Sequence, residues 1–195
     1  RFRNVTGVQT CALPISTLPV KNVADFIAFA KANDGKTTVA HPGVGSSPHM
    51  TLELFRLATG VNIVAVPYKG AAPALVDLIG GHLNAMFDNM SSQLAQLKSG
   101  RTRALAVTSP QRTVHLPDVP TMIESGVQVD VTVWYGLCAP AGVPKPILAK
   151  LNADMRVALN TPDVQRRLIE QGVDPKPTSA AEYAAFIRGE TEKWA

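Results

Sequence analysis

An α/β fold, built on a sheet whose crossovers are helices, is what this chain predicts, and three observations carry the prediction. Hydrophobic residues fill 46% of its 195 positions and charged ones 17%, enough apolar material for a packed core. From Leu18 onward helical and extended patterns alternate. Three of the extended runs end in a polar turn that leads straight into a helix. One large domain or two small lobes would suit these totals.

The elements follow in order. Asn22 caps a helix with Asp25 three positions on; Val23, Phe26, Ile27 and Ala30 recur at helical spacing until Asn33-Asp34-Gly35 stops it. A strand near Lys36–Ala40 leads through the loop HPGVGSSPH into a second helix, with Ser47 as N-cap and Pro48 at the first helical position, where a missing N–H costs nothing. Met50, Leu54, Leu57 and Ala58 are read as that helix's buried face, and Gly60 as its end. The unit then repeats. Asn62–Pro67 is a strand, Tyr68-Lys69-Gly70 a turn and Ala72–Ile79 a helix; Leu83–Phe87 is a strand, Asp88-Asn89 its turn and Ser91–Lys98 a helix. Arg103–Thr108 adds a strand, and a short helix is expected between Pro120 and Ser125. Val127–Ala139 reads as one long strand. Three helices close the chain without an intervening strand: one opened by Pro146, one by Thr161-Pro162, and one by the capping box Ser179-Ala180-Ala181-Glu182.

Several classes are excluded. The formal charge is +4, two of it from Arg1 and Arg3, and the remaining basic residues form no stripe, so nucleic acid is not a partner this sequence suggests. No apolar run reaches the roughly 18 residues of a membrane span. Cys11 and Cys138 do not define a disulfide framework. The opening RFRNVTGVQTCALPIS lacks the three-part pattern of a secretory signal; VTGVQTCALPIS resembles a translated sequencing-adapter read, so positions 1–16 are set aside as a non-native prefix and the chain is expected to be a fragment.

The glycine loop has three candidate meanings. A dinucleotide fingerprint would need glycine where Pro48 stands, and a phosphate loop would need a Gly-Lys-Ser/Thr ending. What remains is either a plain turn into a capped helix, or a carboxylate seat made by the N–H groups of Gly45, Ser46 and Ser47 with a serine hydroxyl. Neither serine sits in a nucleophile elbow. His41, His49, His82 and His115 follow no metal spacing, so no metal site and no cofactor are assigned. Asp88-Asn89 is a turn and cap or a ligand contact, and Trp134-Tyr135 reads as packing before stacking on a ligand. Sheet topology brings GVGSS, YKG and FDN to one edge, outside the carboxyl ends of their strands, where ligands of open α/β sheets bind.

VPYKGAAPALVDLIGGHLNAMFDN, RALAVTSPQRTVHLPDVPTMIESG and WYGLCAPAGVPKPILAKLN, in this order, resemble the substrate-binding proteins of tripartite tricarboxylate transporters, the Bug or TctC family. The likeness runs from about Leu18 to the C-terminus. It implies a type II, two-lobe, periplasmic-binding-protein-like α/β fold in which residues 17–127 form the second lobe, largely complete. Residues 128–195 would then be the crossover strand and C-terminal helices of a partial first lobe. It also implies periplasmic location, membrane permease subunits as partners, a small organic acid as ligand, and no catalysis. By position it places Gly43, Gly45, Ser46, Ser47 and His49 around one end of the ligand, Tyr68, Lys69 and Gly70 along the next wall, and Asp88 and Asn89 at the far end. With half the cleft missing, the chain is expected to bind weakly or not at all and to expose apolar surface. Two rival readings use the same residues: a ligand-sensing regulatory domain of LysR type, which an upstream helix-turn-helix would favour, and a small-molecule enzyme whose turnover is lost on Ser46→Ala and Ser47→Ala.

Overall fold

The computed structural model describes residues 5–14, as backbone, and residues 18–195. The elements are β1 (Val5–Pro14), α1 (Val23–Ala32), β2 (Thr38–His41), α2 (Ser47–Thr59), β3 (Val64–Pro67), α3 (Ala71–Ile79), β4 (Ala85–Asn89), α4 (Met90–Lys98) and β5 (Ala106–Val107). After a long connection come β6 (Thr132–Tyr135), α5 (Lys145–Asn160), α6 (Pro162–Glu170), β7 (Val173–Lys176) and α7 (Ala180–Lys193). The chain forms two compact units, Gln9–Val133 and Trp134–Ala195 with the start of β1, so the division falls inside β6, beyond residue 127.

In the first unit the strands lie in the order β3-β2-β4-β1-β5. β2 runs parallel to β3, Thr38 opposite Val64 and His41 opposite Pro67, and parallel to β4, Val39 opposite Ala85. β1 is antiparallel to β4, Thr10 opposite Asn89 and Pro14 opposite Ala85, and antiparallel to β5. Residues that the sequence reading left out of the fold thus supply a sheet strand; positions 1–4 and 15–16 of that stretch lie outside the described residues. Asn84 fixes the β2–β4 register: its Oδ1 accepts from the Thr38 N–H at 2.8 Å and hydroxyl at 3.0 Å, and its N–H donates to Thr38 O at 3.1 Å.

Alternation along the strands sends successive side chains to opposite faces, and both faces are covered. On one, Phe26 of α1, Phe55 of α2 and Phe87 of β4 form a file with ring centroids 6.1 and 5.7 Å apart. On the other, Ala40 and Met86 pack with Ala74 and Leu78 of α3 and Met90 and Leu94 of α4. Each of the Phe, Leu and Met side chains among them contributes about 1.5–3 kcal/mol on burial. Caps define the helices locally. Asn22 Oδ1 accepts from the Asp25 N–H at 2.8 Å while Asp25 accepts from the Lys21 N–H, and Gly60 ends α2 at φ 66°.

Five details differ from the sequence expectation. The N-cap of α2 is Ser46 rather than Ser47, which opens the helix with Pro48. Its buried face is Pro48, Thr51, Leu52 and Phe55, while Leu57 is 81% exposed, because the helix turns the file containing Phe55 toward Phe87. Residues 122–126 make turns rather than a helix, held by reciprocal bonds between Thr121 and Glu124. The last strand before α5 is confined to β6, and β7 intervenes between α6 and α7.

In the second unit β7 pairs antiparallel with the start of β1, Val5 opposite Lys176 and Val8 opposite Val173. Trp134 stands edge-on to Tyr183 and Phe186, which stack on each other at 14°. The Ser179–Glu182 capping box opens α7 as the sequence indicates. Among the described residues no helix is long and apolar enough to cross a membrane.

Candidate functional site

Because β3, β2 and β4 run parallel, their carboxyl ends and the three following helix starts share one edge. Two of the connecting loops are tied together: the Tyr68 N–H donates to His41 O at 3.0 Å and the Gly70 N–H to Pro42 O at 2.9 Å. The third connection has no loop, since Asn89 ends β4 and directly precedes Met90 of α4. The structure therefore brings the GVGSS, YKG and FDN segments to a common rim.

At the β2–α2 turn Gly45 takes φ 76°, a left-handed conformation that side chains rarely adopt. The turn closes on Gly43, whose carbonyl accepts from the Ser46 hydroxyl at 2.7 Å and the Ser46 N–H at 3.3 Å. Ser46 Oγ in turn accepts from the His49 N–H at 3.4 Å, the N-cap bond of α2. The Gly45 N–H donates to His49 Nδ1 at 3.2 Å. Two of the three amides expected to stand open are therefore engaged within the protein. The third, at Ser47, meets no acceptor among the described residues.

His41, 1% exposed, donates from Nδ1 to Gly43 O at 3.0 Å, and its ring lies 4.4 Å from that of His49 at 39°. Burial lowers the His41 pKa, the Gly43 carbonyl opposes that shift, and the neighbouring His49 adds to it. These bonds fix both tautomers: Nδ1–H on His41, bare Nδ1 on His49.

At the β3–α3 turn the Tyr68 hydroxyl donates to Asp77 Oδ2 at 2.6 Å, and that bond, with burial, raises the tyrosine pKa. Tyr68 thereby serves the turn itself, and Lys69 is exposed. Gly70, at φ 108°, precedes α3, which has no side-chain cap. The N–H groups of Ala71 and Ala72 are accordingly donors of an uncapped helix start, and the sequence reading missed them. The available signal was the lack of Ser, Thr, Asp or Asn ahead of the Ala-Ala-Pro run.

At the end of β4, Asp88 is fully buried, not a surface lining group. Its Oδ2 accepts from Ser92 Oγ at 2.6 Å and Gln93 Nε2 at 2.5 Å, while Oδ1 meets no donor. Burial pushes the carboxyl pKa up, against the pull of these bonds. Asn89 Oδ1 and Gln93 Oε1 are likewise buried acceptors without donors. Among the described residues no cluster of three or more His, Cys, Asp or Glu could hold a metal. Trp134 packs in the second unit's aromatic cluster, and Tyr135 beside it is 49% exposed.

Comparison with known proteins supplies the context for this rim. Residues 3–195 match the family model described as the tripartite tricarboxylate transporter family receptor, TctC. The chain is 37% identical over 179 residues to Protein BugT of Bordetella pertussis, covering 91% of this chain and 55% of that protein. It superposes on an R. palustris protein solved with adipate with a TM-score of 0.91 at 33% identity, covering 98% of this chain and 64% of the other. MatC from Rhodopseudomonas palustris, solved with bound malate, gives 0.87 at 30% identity, covering 97% and 66%. The chain thus spans about half to two-thirds of these relatives' length. Its architecture is the α/β periplasmic-binding-protein-like fold, present in part. With a family match over nearly all of its residues and the same fold in carboxylate-bound relatives, the chain belongs to the tripartite tricarboxylate transporter receptors, the TctC or Bug family.

Proposed function

We propose that this chain belongs to a periplasmic solute-binding protein that captures a small organic carboxylate and passes it to the membrane permease subunits of a tripartite tricarboxylate-type transporter. The observation carrying this reading is the shared rim, where the starts of α2 and α3 present amide donors side by side. A carboxylate leaving water needs several donors or a charge in compensation, and charge-assisted bonds to helix-start amides supply it. The donors assigned are the Ser47 N–H and hydroxyl and the Ala71 and Ala72 N–H groups. Gly43, Gly45, Ser46, His49, Tyr68, Lys69 and Gly70 shape the wall around them, with Asp88 and Asn89 behind. Relatives solved with adipate and malate support small dicarboxylates as the ligand class. The Ser46 hydroxyl, bonded to the Gly43 carbonyl and not to an imidazole nitrogen, is not arranged as a nucleophile, which favours binding over turnover.

The test is an amide-resolved NMR titration of the chain with adipate, malate and the uncharged diamide of adipic acid. Shifts confined to the β2–α2 and β3–α3 turns with the dicarboxylates alone are the expected result. An equal response to the diamide, or none to either acid at millimolar concentration, overturns the reading.

A further inference from the structure

The Gly45 N–H is exposed on the rim, yet it is already bonded, and its partner is a side chain that can let go. We infer that His49 is a built-in competitor for the ligand: its imidazole occupies the Gly45 N–H, and a carboxylate must displace it to gain that donor. The inference rests on the carboxylate reading of the rim and adds to it a specific side chain that sets how easily the site is filled.

The geometry holds the competitor in place from two sides. The Gly43 carbonyl engages His41 and the Gly45 N–H engages His49, with the two rings 4.4 Å apart, so one short loop is clasped by both imidazoles. Gly45 at φ 76° has no side chain to cover its amide, and beyond its chain neighbours no atom lies within 4 Å of where a β-carbon would stand. A neutral imidazole accepts at one nitrogen only, here Nδ1. A carboxylate forms a shorter, charge-assisted bond and replaces the imidazole once its concentration suffices. Giving up one ordinary hydrogen bond weakens ligand capture by about two- to tenfold.

The competing account makes His49 a helix cap, its side chain reaching back to a preceding amide as a capping-box glutamate does.

Three proteins separate the two accounts: the chain as it stands, His49→Ala and His49→Gln, each followed by nitrogen-15 NMR with and without adipate. In the unsubstituted chain adipate shifts the Gly45 amide and His49 Nδ1 together. His49→Ala binds adipate about two- to tenfold more tightly. His49→Gln keeps a competing acceptor, so it binds at the unsubstituted chain's affinity. A Gly45 amide that ignores His49→Ala overturns the inference, as does adipate binding that is no tighter in His49→Ala. Binding that ignores His49 sinks this inference alone, whereas absence of any adipate response in all three proteins sinks the carboxylate reading and takes the inference with it.

Discussion

Gly136 lies directly against the Tyr183 hydroxyl, so closely that a β-carbon at position 136 would overlap the phenol oxygen. Tyr183 is 1% exposed and ringed by Trp134 and Phe186, which leaves the phenol no room to swing aside. Gly136→Ala is therefore expected to destabilise the second unit by about 1–3 kcal/mol through overpacking. Removing the oxygen with Tyr183→Phe restores part of that loss, so the double variant is less unstable than the two single changes would add up to. Urea unfolding of the four proteins measures the coupling.

Asp88 is the buried carboxyl whose chemistry pH should expose. Its folded pKa lies above the ordinary value of 3.8 because burial disfavours the charged form. The folded chain then binds the proton more tightly than the unfolded one, so this group's contribution is full below about 3.8 and is lost as pH rises through the raised folded value. Asp88→Asn removes that dependence and keeps an oxygen to accept from Ser92 and Gln93. At about pH 7 the variant is expected to match or exceed the parent in stability, and the parent to gain on it as pH is lowered toward about 4. Denaturant midpoints at several pH values check the crossing; a variant markedly less stable at every pH contradicts it.

The Tyr68–Asp77 bond separates a structural from a ligand-binding role. With its hydroxyl committed to Asp77, Tyr68→Phe should cost about 1.5–3 kcal/mol of stability, in the range of hydrogen bonds to charged groups. Adipate affinity should stay within about twofold, less than the loss of one hydrogen bond to the ligand would cause. Ultraviolet titration should show Tyr68 ionising above the usual range, a transition missing from the variant.

Asn84 bonds both the amide and the hydroxyl of Thr38 where β2 and β4 begin. Asn84→Ala leaves a partly buried N–H without its acceptor, at a cost of about 1–3 kcal/mol. Hydrogen exchange should accelerate at Thr38 more than at Ala40, farther along the same strand; uniform acceleration would mean that Asn84 acts on global stability alone.

How much could be read from the residues depends on the range of the interaction. Helix starts at Asn22 and Ser179, the stop at Gly60 and the repeated strand-turn-helix pattern are matters of near neighbours, and the structure contains them. The face of α2 was misjudged because Leu57 and Phe55 are both apolar, and only the file of Phe26 and Phe87 across the sheet selects between them. β7 was missed because its short run, Val173-Asp174-Pro175-Lys176, reads as a loop until the start of β1 pairs with it.

The sequence by itself determined an α/β chain with three polar turns at a shared sheet edge, since parallel crossovers leave those turns no other place. Tertiary structure alone decided which of their donors stand open. The Gly45 and Ser46 amides are spent on His49 and Gly43, Asp88 is withdrawn into the interior, and the Ser47, Ala71 and Ala72 N–H groups remain at the helix starts. Whether an amide is free depends on where the chain folds a rival acceptor, and no spacing of residues encodes that distance.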